Sequence, residues 1–236
     1  MRQEASCRSQ PLRLEISEGL SPAGDQGFLG PGGKFLKLIL VRHGETLWNR
    51  ENRIQGHTDV ELSDYGRMQV KKLALSMEKD KIDTIYSSPL KRAYDTAQAI
   101  ARFHDTEIKV EPKLQELNHG DFESLTIQEL KETHGAFVRE WIENPASVVM
   151  PNGESLAQVQ ERAWDVIGMI LETARDTLVV SHGMAIMTIL CKIQNLSLSN
   201  ARQMFVNMAS KTVVSFENGQ GTVLLLNDTS HLNDIV

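Results

Sequence analysis

Cysteine is scarce in this chain, with two residues in 236: Cys7 in a polar stretch and Cys191 in an apolar one. Such a pair builds no disulfide framework and has no metal-ligand spacing, so a reducing, intracellular setting is expected. Positive charge is also short. Lys and Arg total 25 against 31 Asp and Glu, for a net charge of -6. A general nucleic-acid binder needs a basic face to neutralise phosphates along a strand, so that class is excluded and any phosphate chemistry must use a few local cations. No apolar run is long enough to cross a bilayer, and the amino terminus lacks the hydrophobic core of a secretory signal. A soluble, cytoplasmic protein with no membrane partner is the expectation.

The length suits one well-filled domain. Residues 1–33 are rich in Gly, Pro and Ser (Ser21-Pro22-Ala23-Gly24, then Gly30-Pro31-Gly32-Gly33) and have no apolar period. Too little can be buried there for independent folding, which predicts a flexible extension ahead of a single domain at 34–236.

The stretch Leu38–Asn49, LILVRHGETLWN, organises the rest of the chain. A buried strand ends abruptly in Arg42, His43 and Gly44, delivering a cation and an imidazole to its carboxyl end, where open α/β sheets bind ligands. Glycine lets the backbone turn there and approach a small anion. Beyond it the signals alternate as βα units do. Ser63 caps a helix carrying Val70, Leu73, Ala74 and Met77 at i, i+3, i+4 and i+7. Ile82–Ser87 reads as a strand, with Ser88 as cap and Pro89 opening the next helix. Glu107–Val110 is a third strand, Thr126 and Glu129 form a capping box, and helices fill 126–143. Ser155 and Gln158 open the clearest helix, which precedes a fourth strand at Thr177–Ser181 and then His182-Gly183. The segments flanking Asn218-Gly219-Gln220-Gly221 read as an antiparallel edge hairpin, whose exposed edge could pair with a second copy.

Arg42-His43, Arg92, Glu116 and His182 thus each follow one of four successive strands. Right-handed crossovers make those strands parallel and bring the four groups to one sheet edge. Singly, each has a structural explanation; together they require four coincidences.

Arg42-His43-Gly44-Glu45-Thr46 with Trp48-Asn49, Gln55-Gly56, Asp59, Leu62 and Gly66 is one block of a larger pattern. It continues in Ser87-Ser88-Pro89-Leu90-Lys91-Arg92-Ala93 with Thr96-Ala97, Glu116-Leu117, Gly120, Glu123, Pro151, Gly153-Glu154-Ser155 and Ser181-His182-Gly183. The pattern resembles the histidine phosphatase superfamily, in its phosphoglycerate-mutase-like branch with the broad-specificity and α-ribazole phosphatases. One departure is Ser124, where many members place glycine.

The resemblance implies a three-layer α/β/α sandwich with a mostly parallel sheet and an antiparallel edge strand. It also implies a phosphomonoesterase that acts on a small phosphorylated metabolite, needing no metal and no cofactor. His43 would be the nucleophile that becomes phosphohistidine, and Glu116 the proton donor to the leaving alcohol and then the base for water. Arg42, Arg92 and His182 would hold the phosphoryl oxygens, with Asn49, Gln55, Gly56 and Gly183 as further substrate contacts. Planar guanidinium groups suit that task because each can grip two oxygens. A phosphoglycerate mutase using the same pocket is the alternative, and an inactive binding module is a third reading. The resembling mutases carry a longer insertion than residues 117–152 allow, which favours transfer to water.

Overall fold

The structure, a computed structural model, describes residues 35–233. The extension expected at 1–33 lies outside the described residues. Six strands form one sheet: β1 (Phe35–Arg42), β2 (Thr84–Ser87), β3 (Ile108–Val110), β4 (Thr177–Ser181), β5 (Lys211–Glu217) and β6 (Gln220–Asp228). Their order is β3-β2-β4-β1-β5-β6. The pairs β1–β4, β2–β4 and β2–β3 are parallel, whereas β5 runs antiparallel to β1 and to β6.

The unbroken apolar run of β1 is explained by burial on both faces. Leu36, Leu38 and Leu40 pack with residues of α6 (Leu156–Thr173) and α7 (Gly183–Ile193), while Ile39 and Val41 pack with α2 (Asp64–Ser76) and α3 (Lys91–Ala101). The period of two thus divides one strand between two helical layers. Each such side chain contributes roughly 1.5–3 kcal/mol by leaving water. The three-layer sandwich expected from the family pattern is the observed architecture.

Local signals set most boundaries. Ser63 Oγ accepts the Gly66 N–H at 3.0 Å and starts α2. Reciprocal capping boxes open α4 (Ile127–Thr133) at Thr126/Glu129 and α6 at Ser155/Gln158. A second helix, α5 (Gly135–Glu143), comes directly after α4. Between β5 and β6 the turn has two residues rather than four, Asn218 (φ 51) and Gly219 (φ 81). Positive φ at both gives the type I′ geometry that matches strand twist. β6 forms the sheet edge, with Leu224 and Leu225 exposed.

One local expectation gives way, and one short element appears that the sequence did not announce. Helix α3 begins at Lys91, with Leu90 at the N-cap and no side-chain cap, later than Ser88 and Pro89 suggest; the Ser88 hydroxyl accepts the Leu90 N–H at 3.3 Å and lies 2.8 Å from His182 Nε2. A one-turn helix, α1 (Leu47–Arg50), also forms, with a reciprocal cap between Thr46 and Asn49. Among the described residues no helix is long and apolar enough to cross a membrane.

Candidate active site

Sheet register brings the two histidines together. Arg42 pairs with Ser181 across β1 and β4, so His43 and His182 are the next residues on adjacent parallel strands. Their ring centroids are 5.1 Å apart. Ser87 pairs with Val180 on the other side of β4, and the Ser88 N–H donates to Val180 O at 3.1 Å.

His43 is buried, and its Nδ1 lies 2.7 Å from the Gly44 carbonyl. A carbonyl can only accept, so Nδ1 carries the proton and Nε2 keeps its lone pair. Burial, then the charges of Arg92 and Arg42, push the imidazole well below its usual pKa, against the pull of the Gly44 hydrogen bond. The ring is therefore neutral at pH 7, as a nitrogen nucleophile requires. Gly44 serves a tighter need than a turn toward an anion: a Cβ there would lie 2.7 Å from Val70 Cγ2 and 2.8 Å from Gly66 O. Helix α2 packs directly on the loop.

Two arginines supply fixed charge. Arg42 Nη1 donates to Val206 O at 2.7 Å. Arg92 is fully buried, with Nη2 on Gly56 O at 2.7 Å and Nη1 on Thr58 O at 3.0 Å. Glu123 holds that loop by accepting the N–H groups of His57 and Thr58, both at 2.8 Å, and the Thr58 hydroxyl. Burial alone would raise the Glu123 carboxyl, but these hydrogen bonds outweigh it and hold the group below its usual range. Burial lowers Arg42, and it lowers Arg92 to about 10, with Glu116 opposing both shifts. Arg92 still stays protonated at neutral pH. The Nε atoms of both arginines are buried without a partner among the described residues. Those unspent donors suit an anion.

Glu116 sits at the start of α7. Its Oε1 accepts from Leu117 N at 2.9 Å, Met184 N at 3.0 Å and Ala185 N at 3.3 Å, and Oε2 lies 3.2 Å from Met184 N. Arg162 fixes the backbone beneath it. That guanidinium grips both oxygens of Glu154, at 2.8 and 2.9 Å, and donates to the carbonyls of Lys113, Gln115 and Glu116. Gly183 permits the close approach, since a Cβ there would be 3.3 Å from Arg42 Cζ and 3.5 Å from Glu116 Oε2.

His182 is fully buried with Nε2 2.8 Å from Ser88 Oγ, while Nδ1 has no partner among the described residues. Burial, followed by Arg92, His43 and Arg42, pushes this ring well below its usual pKa too.

A cavity of about 680 Å³ opens beside these groups. Arg42, His43, Asn49, Gln55, Glu116 and Gly183 reach its wall. Arg92 and His182 are fully buried and do not themselves line it, although the His182 ring is 5.1 Å from that of His43, and Gly56 contributes its carbonyl to Arg92. Thr46 Oγ1 is 3.0 Å from both Asn49 Oδ1 and Gln55 Oε1, so its single proton can be donated to one of the two amide oxygens at a time. Sequence reasoning missed Ser88 as a partner of His182, and missed Arg162 altogether. A lone arginine on the polar side of an amphipathic helix gives no signal of its own. Among the described residues no cluster of three His, Cys, Asp or Glu could hold a metal ion.

Comparison with known proteins agrees with the geometry. The family model for the histidine phosphatase superfamily (branch 1) matches residues 38–229. Phosphoserine phosphatase 1 of Hydrogenobacter thermophilus is 36% identical over 204 residues, covering 84% of this chain and 95% of that one. Phosphoglycerate mutase-like protein 4 of Arabidopsis thaliana is 33% identical over 207 residues, covering 85% and 88%. Among solved structures, Bacillus stearothermophilus YhfR superposes with a TM-score of 0.80 at 27% identity, over 84% of this chain and all of that one.

Proposed function

Because the chain belongs to the histidine phosphatase superfamily, we propose that it hydrolyses phosphate monoesters of small metabolites through a phosphohistidine on His43. One observation carries this reading: Nδ1 is spent on Gly44 O, so the neutral imidazole keeps its Nε2 lone pair among Arg42, Arg92 and His182. In the first step Nε2 attacks phosphorus, the P–O bond to the leaving alcohol breaks, and Glu116, protonated beforehand by a monoanionic substrate or by solvent, gives that oxygen its proton. In the second step Glu116 takes a proton from water, the oxygen attacks phosphorus, and the N–P bond breaks to release phosphate. Charge on the equatorial oxygens is met by Arg42, by the remaining protons of Arg92 and by His182.

A relative named phosphoglycerate mutase-like keeps isomerisation as the competing reaction. Helices α4 and α5, which lie between Glu116 and Gly153, contain no fully buried residue. So thin a cover supports transfer to water. Buried Cys191, a free thiol, supports a cytoplasmic setting. The open edge of β6 is the surface on which a second copy would pair.

Phosphate release from 4-nitrophenyl phosphate tests the reading, and Arg92→Ala should lower the rate by roughly three orders of magnitude. A wild-type protein that turns over no monoester would refute it. From 3-phosphoglycerate with its bisphosphorylated primer, inorganic phosphate should outpace 2-phosphoglycerate.

A further inference from the structure

We propose that the alcohol released by this enzyme is a bulky apolar group, and that the esters of small polar alcohols such as serine are poor substrates. The inference rests on the hydrolase reading above and concerns what occupies the rest of the same cavity.

A phosphoryl group fills only a small part of about 680 Å³, a volume of the size that holds drug-sized ligands. Away from His43 and Glu116 the wall is built largely of carbon, from Phe122, Phe137, Trp141, Ile142, Met187 and Phe205. Three large apolar residues on this cavity are left about half exposed: Ile127 at 47%, Ile142 at 48% and Phe205 at 52%. Leaving them so costs free energy that a matching apolar ligand would recover. Helix α5 shows the same pattern, since its large apolar residues Phe137, Val138, Trp141 and Ile142 all line this space and none is fully buried.

Charge discriminates further. Among the lining residues the sole carboxylate is Glu116, which is committed to proton transfer. The ammonium of a serine ester would find no second carboxylate to pair with, and so small a group would leave most of the carbon wall uncovered. Lys131 and Arg202, by contrast, stand on this cavity with no acidic partner among the described residues. In a chain of net charge -6 they make this cavity locally attractive to a phosphate dianion. An anionic head steered inward past carbon walls, with an apolar tail left to cover them, fits every part of the cavity.

The test is a homologous series of n-butyl, n-hexyl and n-octyl phosphate, with O-phosphoserine alongside, each below its micellar concentration and read by phosphate release. The alkyl esters share one leaving-group chemistry, so any trend reports binding of the tail. Each added methylene should raise kcat/KM roughly three- to fourfold until the cavity is full, and octyl phosphate should exceed O-phosphoserine by about a hundredfold or more. Trp141→Ser and Phe205→Ser should each flatten the slope. Phe205 is half exposed, so its substitution leaves the fold intact should Trp141→Ser not fold. A flat series, or O-phosphoserine as the fastest ester, with 4-nitrophenyl phosphate still hydrolysed, overturns this inference and leaves the hydrolase reading standing. Failure to release phosphate from any ester overturns both.

Discussion

His182 Nε2 lies 2.8 Å from Ser88 Oγ, and the same oxygen accepts the Leu90 N–H at 3.3 Å. A hydroxyl carries one proton and two lone pairs, so Ser88 can hold Nε2 as donor or as acceptor while it accepts from Leu90. Either way it anchors the ring through Nε2 and leaves Nδ1 without a partner among the described residues. Ser88→Ala should therefore lower kcat by about ten- to a hundredfold, in line with the loss of other residues that orient a reacting imidazole. Steady-state kinetics check this, and an unchanged kcat would remove Ser88 from the positioning of His182.

Arg162 should matter for both stability and rate. Removing it strands the half-enclosed Glu154 carboxylate and three carbonyls, including that of Glu116. Arg162→Ala is expected to cost about 2–3 kcal/mol of stability, below the range for a fully buried pair because both side chains keep some water contact. The rate should fall as well, through a displaced Glu116. Urea denaturation and kcat measured on the same variant decide the matter.

Ser124 adopts φ 74, in the left-handed region where a side chain is strained. Its N–H donates to Ile54 O at 2.9 Å and its carbonyl accepts from Arg53 Nη1 at 2.9 Å, so the conformation is fixed from both sides. This is the position where the family pattern favours glycine. Ser124→Gly should stabilise the protein by about 0.5–1 kcal/mol, net of the greater entropy of glycine in the unfolded chain. A lowered melting temperature would contradict this.

Stability should decline in mild acid. Burial and the arginines hold His43 and His182 well below the ordinary imidazole value of 6.5, so below that pH the unfolded chain binds more protons than the folded one. The contribution of the two neutral rings is complete above about pH 6.5 and is lost as pH falls. Denaturation midpoints measured from about pH 7.5 down to about pH 5.5 should drop. They should drop less in a His43→Asn, His182→Asn double variant. Equal slopes would mean that the histidines do not titrate differently on unfolding.

The sequence made legible whatever is local and periodic. β1 and β4 announce themselves because both of their faces are buried, and Arg42-His43 and His182 stand out because each breaks such a run. Helices α4 and α6 begin at their capping boxes. What was hidden depends on distant partners. Ser88 looks like a cap until His182, 94 residues away, takes its hydroxyl. Gly44 looks like a hinge until α2 is seen against it. The apolar character of the cavity was equally hidden, because Phe122, Trp141, Met187 and Phe205 are scattered along the chain and meet only in the fold.

The central claim is that His43 Nε2 carries the phosphoryl group, and the most direct test is to trap that state. Protein mixed with an aryl phosphate and quenched in base within milliseconds should carry one phosphate on the peptide containing His43, stable to alkali and lost in acid. His43→Ala should carry none and release no phosphate. A phosphoryl group found on another residue, or wild-type turnover by His43→Ala, would contradict the account.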